Sequence, residues 1–380
     1  MKRKIKLKIN GESPRSIFLA FVLAKLKCDI YLYDFLINSN SNKDYQIFLF
    51  SNHSKNLLIK FDIWNQIKDI SYSINSLSIR DNLISEQLLL QTENLSKNYF
   101  NNIGWTANYS DIKRLLINKL INFDNVHFVS KNQKNIEFFI FDYEFNFYGY
   151  EKFLSLFKLP LSIFKRIDNQ ILIFDVYLRG NVEKRLYEIN TTVGLIILTP
   201  LDKNLYHIIW NNASIKIKER ALSSKSLFLD NLTSLLPIEL QIDQIIGDIK
   251  IFNYSNVHPT CLIKSKSIYF NESKLKSNTL LDFNFDIIIR NTLQIYKFLD
   301  NNKSKRFYIL YKLRFYFLRK YLGIIMKFSI SNYLINLFTL NGILSLYLRK
   351  LLFILLKKII FLKNYFMRKL TNSNIDNLII

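Results

Sequence analysis

Apolar residues and lysines alternate at the start of the chain, where Ile5, Leu7 and Ile9 are separated by Lys6 and Lys8, the period of a strand with one buried face. Ile17, Ala20, Phe21, Leu23 and Ala24 then recur at helical spacing, and Gly11-Glu12-Ser13-Pro14-Arg15-Ser16 forms a tight turn between the two. Ile30, Tyr31 and Leu32 make a second strand that closes on Asp34. Strand, turn, helix, strand and acid form the opening of a dinucleotide-binding βαβ unit. In that unit the first glycine makes the turn, the second admits the pyrophosphate, the third lets helix pack on strand, and the acid meets the ribose. Gly11 stands at the first place, Ser13 and Ser16 at the second and third, and Asp34 at the fourth. Taken alone, the same pattern also fits a βαβ unit that holds no nucleotide.

Further along, Phe50 to Trp64 sets Leu57, Leu58, Phe61 and Trp64 on one helical face, with Ser51 or Ser54 as its cap. Ile74 to Arg80 alternates as a strand, and Tyr109 to Phe123 is a strong amphipathic helix after Gly104-Trp105. Val126–Val129 and Ile136–Phe141 are expected strands. From Gln170 to Trp210 the texture is all strand, at Ile171–Val176, Leu186–Ile189, Val193–Leu198 and Leu205–Trp210. A helical stretch, Lys216–Leu236, precedes a strand at Gly247–Tyr254, and Ser267–Phe270 with a helix over Phe283–Leu299 returns to the α/β texture. The expected class is α/β: a Rossmann-like domain with an inserted antiparallel β-sheet domain and a basic helical tail. The expected division gives residues 1–70, 100–160 and 255–305 to the first domain, 71–99 and 161–254 to the sheet domain, and 306–380 to the tail.

Composition changes this picture at the tail. The 380 residues carry 53 basic and 30 acidic side chains, a net charge of +23, and residues 301–380 hold 15 of the basic ones against a single acid, Asp376. Lys and Arg clusters alternate there with Leu, Ile and Phe over Tyr311–Phe328 and Ser345–Lys369, and within Ser345–Lys369 Arg349-Lys350 and Lys357-Lys358 interrupt the apolar run well before about 18 uncharged residues accumulate. An interfacial helix with snorkelling lysines fits this pattern better than a spanning one, and a helix packed on its own domain fits nearly as well. A lipid surface is therefore the expected anionic partner, and nucleic acid is not expected. Cys28 and Cys261 are far apart and outside any CxxC pattern, and no signal peptide is apparent, so a reducing, cytoplasmic setting is expected. His53, His127, His207 and His258 share no metal-ligand spacing, and no metal is expected.

The order of blocks resembles the ubiquinone-biosynthesis hydroxylases of the UbiH/UbiF type, which are FAD-dependent aromatic monooxygenases. The resemblance rests on Gly11 to Ser16 with Asp34, on Ser51, Ser54, Leu57, Leu58 and Trp64, and on Gly104-Trp105 with Asp111-Ile112-Lys113. Tyr187-Glu188, Gly194 to Pro200-Leu201 and Tyr206 to Trp210 follow the family's middle block, with Gln170 in the strand before it. Asn336-Leu-Phe338, Leu348-Arg349-Lys350 and Phe366-Met367-Arg368 look like its closing helices.

The resemblance implies FAD, reduced by NAD(P)H or an electron-transfer protein and held by Gly11, Ser13, Pro14, Ser16, Asp34, Asp142, Glu272 and Asn284. Gln170 and Pro200 would lie on the substrate side. It implies a prenylated phenol substrate, a place on the inner face of the membrane, and other quinone-biosynthesis enzymes as partners. The departures are Ser13, Ser16, Gln46, Tyr143 at the place of a turn glycine, Asn271-Glu272 at the Gly-Asp pair, and Asp282 and Asp286 at two glycines around Asn284. They leave open a second reading, a catalytically inactive homologue that acts as a membrane-associated scaffold or accessory protein.

Overall fold

The computed structural model describes residues 4–11, 13–26, 28–33, 47–91, 102–129, 140–149, 169–180, 183–211, 224–254, 261–264, 266–272, 284–301 and 342–364. Asp34, the tail segment 311–328 and most of the expected strand at 136–141 lie outside them, as do the side chains of Gln170, Glu272 and Asn284.

The N-terminal unit forms as the alternation predicts. Strand β1 (Ile5–Asn10) buries Leu7 and Ile9 and turns its lysines to the other face. Helix α1 (Pro14–Ala24) leads to strand β2 (Cys28–Tyr33), which pairs parallel to β1. The sequence suggests one apolar face for α1, yet every residue from Ser16 to Ala24 is buried. Such a helix is a central one, covered on all sides. It packs on helix α4 (Tyr109–Ile121) and helix α6 (Asn284–Asn301), and Phe21 meets Phe123 edge to face.

Strand β9 (Tyr143–Gly149) lies on the other side of β1, also parallel, and strand β16 (Ser267–Glu272) follows it. Strands β15 (Cys261–Lys264) and β8 (Val126–Val129) complete a six-stranded sheet in the order β15-β16-β9-β1-β2-β8, parallel except at β15. The expected helix with Ser51 as its cap forms as α2 (Asn52–Lys60) after strand β3 (Ile47–Ser51), but it stops short of Trp64, which opens a second helix, α3 (Trp64–Asp69). The break falls at Asp62, which holds a positive φ of 52° that a continuing helix does not allow. Strand β3 and strand β4 (Ser71–Ile74) flank strand β7 (Gly104–Asn108) in a small antiparallel sheet.

A second, seven-stranded sheet joins strands β5 (Ser76–Asp81) and β6 (Glu86–Gln91) to β10 (Asn169–Leu178), β11 (Arg185–Thr191), β12 (Gly194–Pro200), β13 (Leu205–Asn211) and β14 (Ile242–Tyr254). Its order is β14-β10-β13-β12-β11-β5-β6, antiparallel except for β11 with β5. One face carries Phe174, Tyr206, Ile208 and Trp210 and is covered by helix α5 (Lys225–Leu235) through Phe228 and Leu232. The opposite face carries Leu77, Ile79, Leu186 and Ile197, which join Leu49 of β3 and Phe353 of the C-terminal helix α7 (Ile343–Lys358) in a separate core.

At Arg349 helix α7 is packed on its own domain. That residue is wholly buried, and its guanidinium meets the equally buried Asp81 of β5 at 3.2 Å. Asp81 also accepts from Asn190 Nδ2 at 3.1 Å and from the Leu83 N–H at 3.0 Å. Lys357 pairs with Glu86 on β6 at the outer end of the seam. One face of the helix is therefore fastened to the sheet, while Leu344, Tyr347, Leu348 and Leu351 face outward. Among the described residues no helix is long and apolar enough to cross a membrane.

Candidate functional site

In an open α/β sheet, ligands bind beyond the carboxyl ends of the strands, where the strand order reverses. Here the reversal is at β1, which sends its chain through α1 to β2 on one side and has β9 on the other. Gly11 sits at that point. Its N–H donates to Tyr33 O at the end of β2, 3.3 Å away. A Cβ on Gly11 would stand 2.9 Å from Phe147 O of β9, and its φ is +104°, so both space and backbone require glycine. The register also carries the backbone of Glu272 to this carboxyl edge, beside Gly149, and Asn284 opens α6.

Ser13 and Ser16 take the places of two glycines by bonding to each other. Ser13 is the N-cap of α1 in extended backbone, and its Oγ accepts from the Ser16 N–H at 3.1 Å. The Ser16 hydroxyl donates to Ser13 O at 2.8 Å, which lets a buried polar side chain lie where the third glycine would pack. Pro14, at the first helical position, has its φ set for the helix and no N–H. Two of the first three helical positions therefore offer no backbone donor to an anion. The Ser13 hydroxyl hydrogen is directed at Ser16 Oγ over a long 3.4 Å, a contact that a better acceptor would displace.

Asp142 lies just before β9. Its carboxylate accepts from the Lys6 N–H at 2.8 Å, and its own N–H donates to Lys6 O at 2.8 Å, tying the start of β9 to β1. Tyr143, at the place of a turn glycine, is a core residue whose burial pushes its hydroxyl up to about 12. On the far face of the parallel sheet, Lys8 lies over the rings of Tyr33 and Phe141, with its ammonium 4.6 and 5.6 Å from their centroids.

The sheet domain holds Pro200 at the end of β12, where its carbonyl accepts from Thr106 Oγ1 of β7. This bond ties the seven-stranded sheet to the small one beside the Rossmann-like unit. The same sheet contains a pair absent from the sequence expectations. His207 of β13 lies directly opposite Asp175 of β10, with Nδ1 2.6 Å from Asp175 Oδ1. The ring is 3% exposed, the carboxylate side chain 29%, and the buried Nε2 has no hydrogen-bond partner. Alternation along β13 turns Tyr206, Ile208 and Trp210 toward α5 and His207 to the opposite face, the one that meets β3 and α7. Among the described residues no group of three or more His, Cys, Asp and Glu could hold a metal ion.

No family model matches the sequence, and no curated protein sequence matches it. Solved structures do match the fold. The p-nitrophenol 4-monooxygenase PnpA from Pseudomonas putida DLL-E4 superposes with a TM-score of 0.73 at 12% identity, over 98% of this chain and 99% of that one. PqsL, a probable FAD-dependent monooxygenase from Pseudomonas aeruginosa, gives 0.66 at 10% identity over 89% and 97% of the two chains. CmlS, a flavin-dependent halogenase, gives 0.61 at 10% identity over 85% of this chain and 62% of that one. Together with the parallel sheet, the separate antiparallel sheets and the helical C-terminal end, these likenesses give the chain the fold of the flavin-dependent monooxygenases.

Proposed function

We propose that the protein is an FAD-dependent hydroxylase of a prenylated phenol, a ubiquinone-type quinone precursor, acting at the inner surface of a membrane. The observation that carries this reading is the Gly11–Ser16 turn, set at the strand-order reversal of a parallel sheet in a chain with the flavin-monooxygenase fold.

The turn fits the pyrophosphate of FAD at Gly11, which keeps the backbone open between β2 and β9, and at Ser13, whose hydroxyl hydrogen is held only by a long contact. Ser13 and the positive end of α1 would face the phosphates. Asp34, which follows Tyr33 in the chain, would meet the ribose, and Glu272 and Asn284 would contact the flavin half. FAD supplies the oxygen chemistry when bound. NAD(P)H or an electron-transfer protein would supply its electrons. The protein's own part is to hold the cofactor at the carboxyl edge and to present a phenol ring from the sheet domain, with Gln170 and Pro200 on that side.

The outward face of α7 supports the membrane setting. Leu344 is 74% exposed and Tyr347 66%, while Ile360 and Phe361 just beyond the helix are 71% and 76% exposed, with Lys350 and Lys358 exposed beside them. Apolar side chains flanked by ammonium groups suit an anionic lipid surface. Cosedimentation of the full chain with anionic vesicles, lost in Leu344→Glu/Leu351→Glu, is the expected result.

A second reading is favoured by the hydrogen bonds themselves. Ser16 N–H is taken by Ser13 and one oxygen of the Asp142 carboxylate by the Lys6 N–H, so both groups are engaged within the protein. That arrangement suits a non-catalytic scaffold of quinone-synthesising enzymes. Titration of the purified full chain with FAD, read by flavin absorbance and fluorescence, separates the two. Saturable binding supports the hydroxylase, and no binding at any FAD concentration supports the scaffold.

A further inference from the structure

His207 is the described histidine with the least ordinary surroundings. Its ring is almost fully buried on a strand of the central sheet, and one nitrogen is anchored by an acid while the other meets nothing. A buried polar atom without a partner costs about 1–3 kcal/mol, so a purely packing role would be better filled by an apolar side chain. Because an ionised carboxylate only accepts, Asp175 fixes the hydrogen on Nδ1 and leaves the buried Nε2 lone pair free to accept. In the cross-strand row, Thr199 of β12 lies beside His207 and Ile246 of β14 beside Asp175, so the adjacent strands add no second charge in that row.

We propose that His207 is the group that receives the hydroxyl of a phenolic ligand, with Asp175 as its positioning residue. The inference rests on the hydroxylase reading for its ligand class. The phenol O–H breaks, its proton passes to His207 Nε2, and the bonding pair stays on the oxygen as phenolate. The imidazolium formed keeps its Nδ1–H on Asp175 and donates Nε2–H to the phenolate oxygen, and nothing is oxidised or reduced. Ionising a ring hydroxyl pushes electron density into the ring, which is what an electrophilic hydroxylation at the ring requires. His207 stands on the face of the sheet opposite α5, the face that meets β3 and α7.

The test uses the full chain in mild detergent with 2-geranyl-4-nitrophenol, a lipophilic phenol whose phenolate is coloured, at a pH below the probe's own ionisation. The wild type is expected to bind the probe and develop the phenolate band without FAD or turnover. His207→Gln should lose the band, with the bound phenolate fraction falling about tenfold, the effect of one pKa unit. Asp175→Asn should reduce it by less.

Circular dichroism and the thermal midpoint check that both variants are folded, and FAD titration of each should match the wild type. A phenolate band that persists in folded His207→Gln overturns the proposal. So does a wild type that leaves the probe unbound, or that binds it without ionising it. A normal band in a chain that takes up no FAD would sustain the role of His207 while removing the hydroxylase reading.

Discussion

Two carboxylates on the seven-stranded sheet each face a nitrogen base, and they are finished in different ways. Asp81 and Arg349 are both fully buried, and the acid's two oxygens also collect Asn190 and the Leu83 N–H. Asp175 reaches solvent on one side, and the ring it holds keeps a buried Nε2 with no partner. A closed network of charges far from water is a fastening, because its value lies in fixing where α7 docks. An open one retains a bond to give, and that is the property of a binding group.

The fastening should break hardest. Arg349→Met leaves Asp81 buried without its charge partner, and a loss of about 3–5 kcal/mol is expected from chemical denaturation, with release of α7. Arg349→Met combined with Asp81→Leu should recover only part of that loss, because the apolar pair removes the buried ions but also the acceptor of Asn190 Nδ2 and the Leu83 N–H. If the double variant is no more stable than the single one, the seam does more than fasten.

Asp142 sharpens the comparison from the other domain, where another carboxylate is taken up within the protein. Asp142→Ala leaves the Lys6 N–H without its acceptor and should cost about 1–3 kcal/mol in urea denaturation. A cost close to zero would mean that the carboxylate is held for a ligand and not for the strand start.

The open pair should behave in the opposite way. His207→Phe removes the unpartnered nitrogen and keeps the ring volume, so the stability change should stay within about 1 kcal/mol while phenol binding is lost. A large destabilisation with phenol binding intact would make His207 a packing residue. Ser13→Gly is the mildest change, a few tenths of a kcal/mol in thermal unfolding, since glycine is a tolerable N-cap. It removes the hydroxyl proposed to face the phosphates and should weaken FAD binding.

The reasons for these differences were unequally legible in the chain. Leu7, Ile9 and the α1 residues announce the βαβ unit because strand and helix periods are local properties. Strand β9 was not read, although Tyr143, Phe145 and Phe147 alternate as buried residues, because Asp142 beside them resembles a turn. The break at Asp62 depends on one left-handed residue, which composition does not announce.

Arg349 reads as part of a basic tail until the fold supplies Asp81, 268 positions away. His207 and Asp175 are 32 positions apart, and strand register, not spacing, brings them together. At the dinucleotide turn the sequence placed Gly11 and the serines, and the structure added how Ser13 and Ser16 bond to each other.

The central claim is that a turn with two serines at glycine positions still holds a flavin. Equilibrium titration of the purified full chain and of Ser13→Gly with FAD tests it most directly. The account predicts saturable binding by the wild type, with yellow protein recovered after gel filtration, and weaker binding by Ser13→Gly. Colourless protein and no binding by either chain would contradict it.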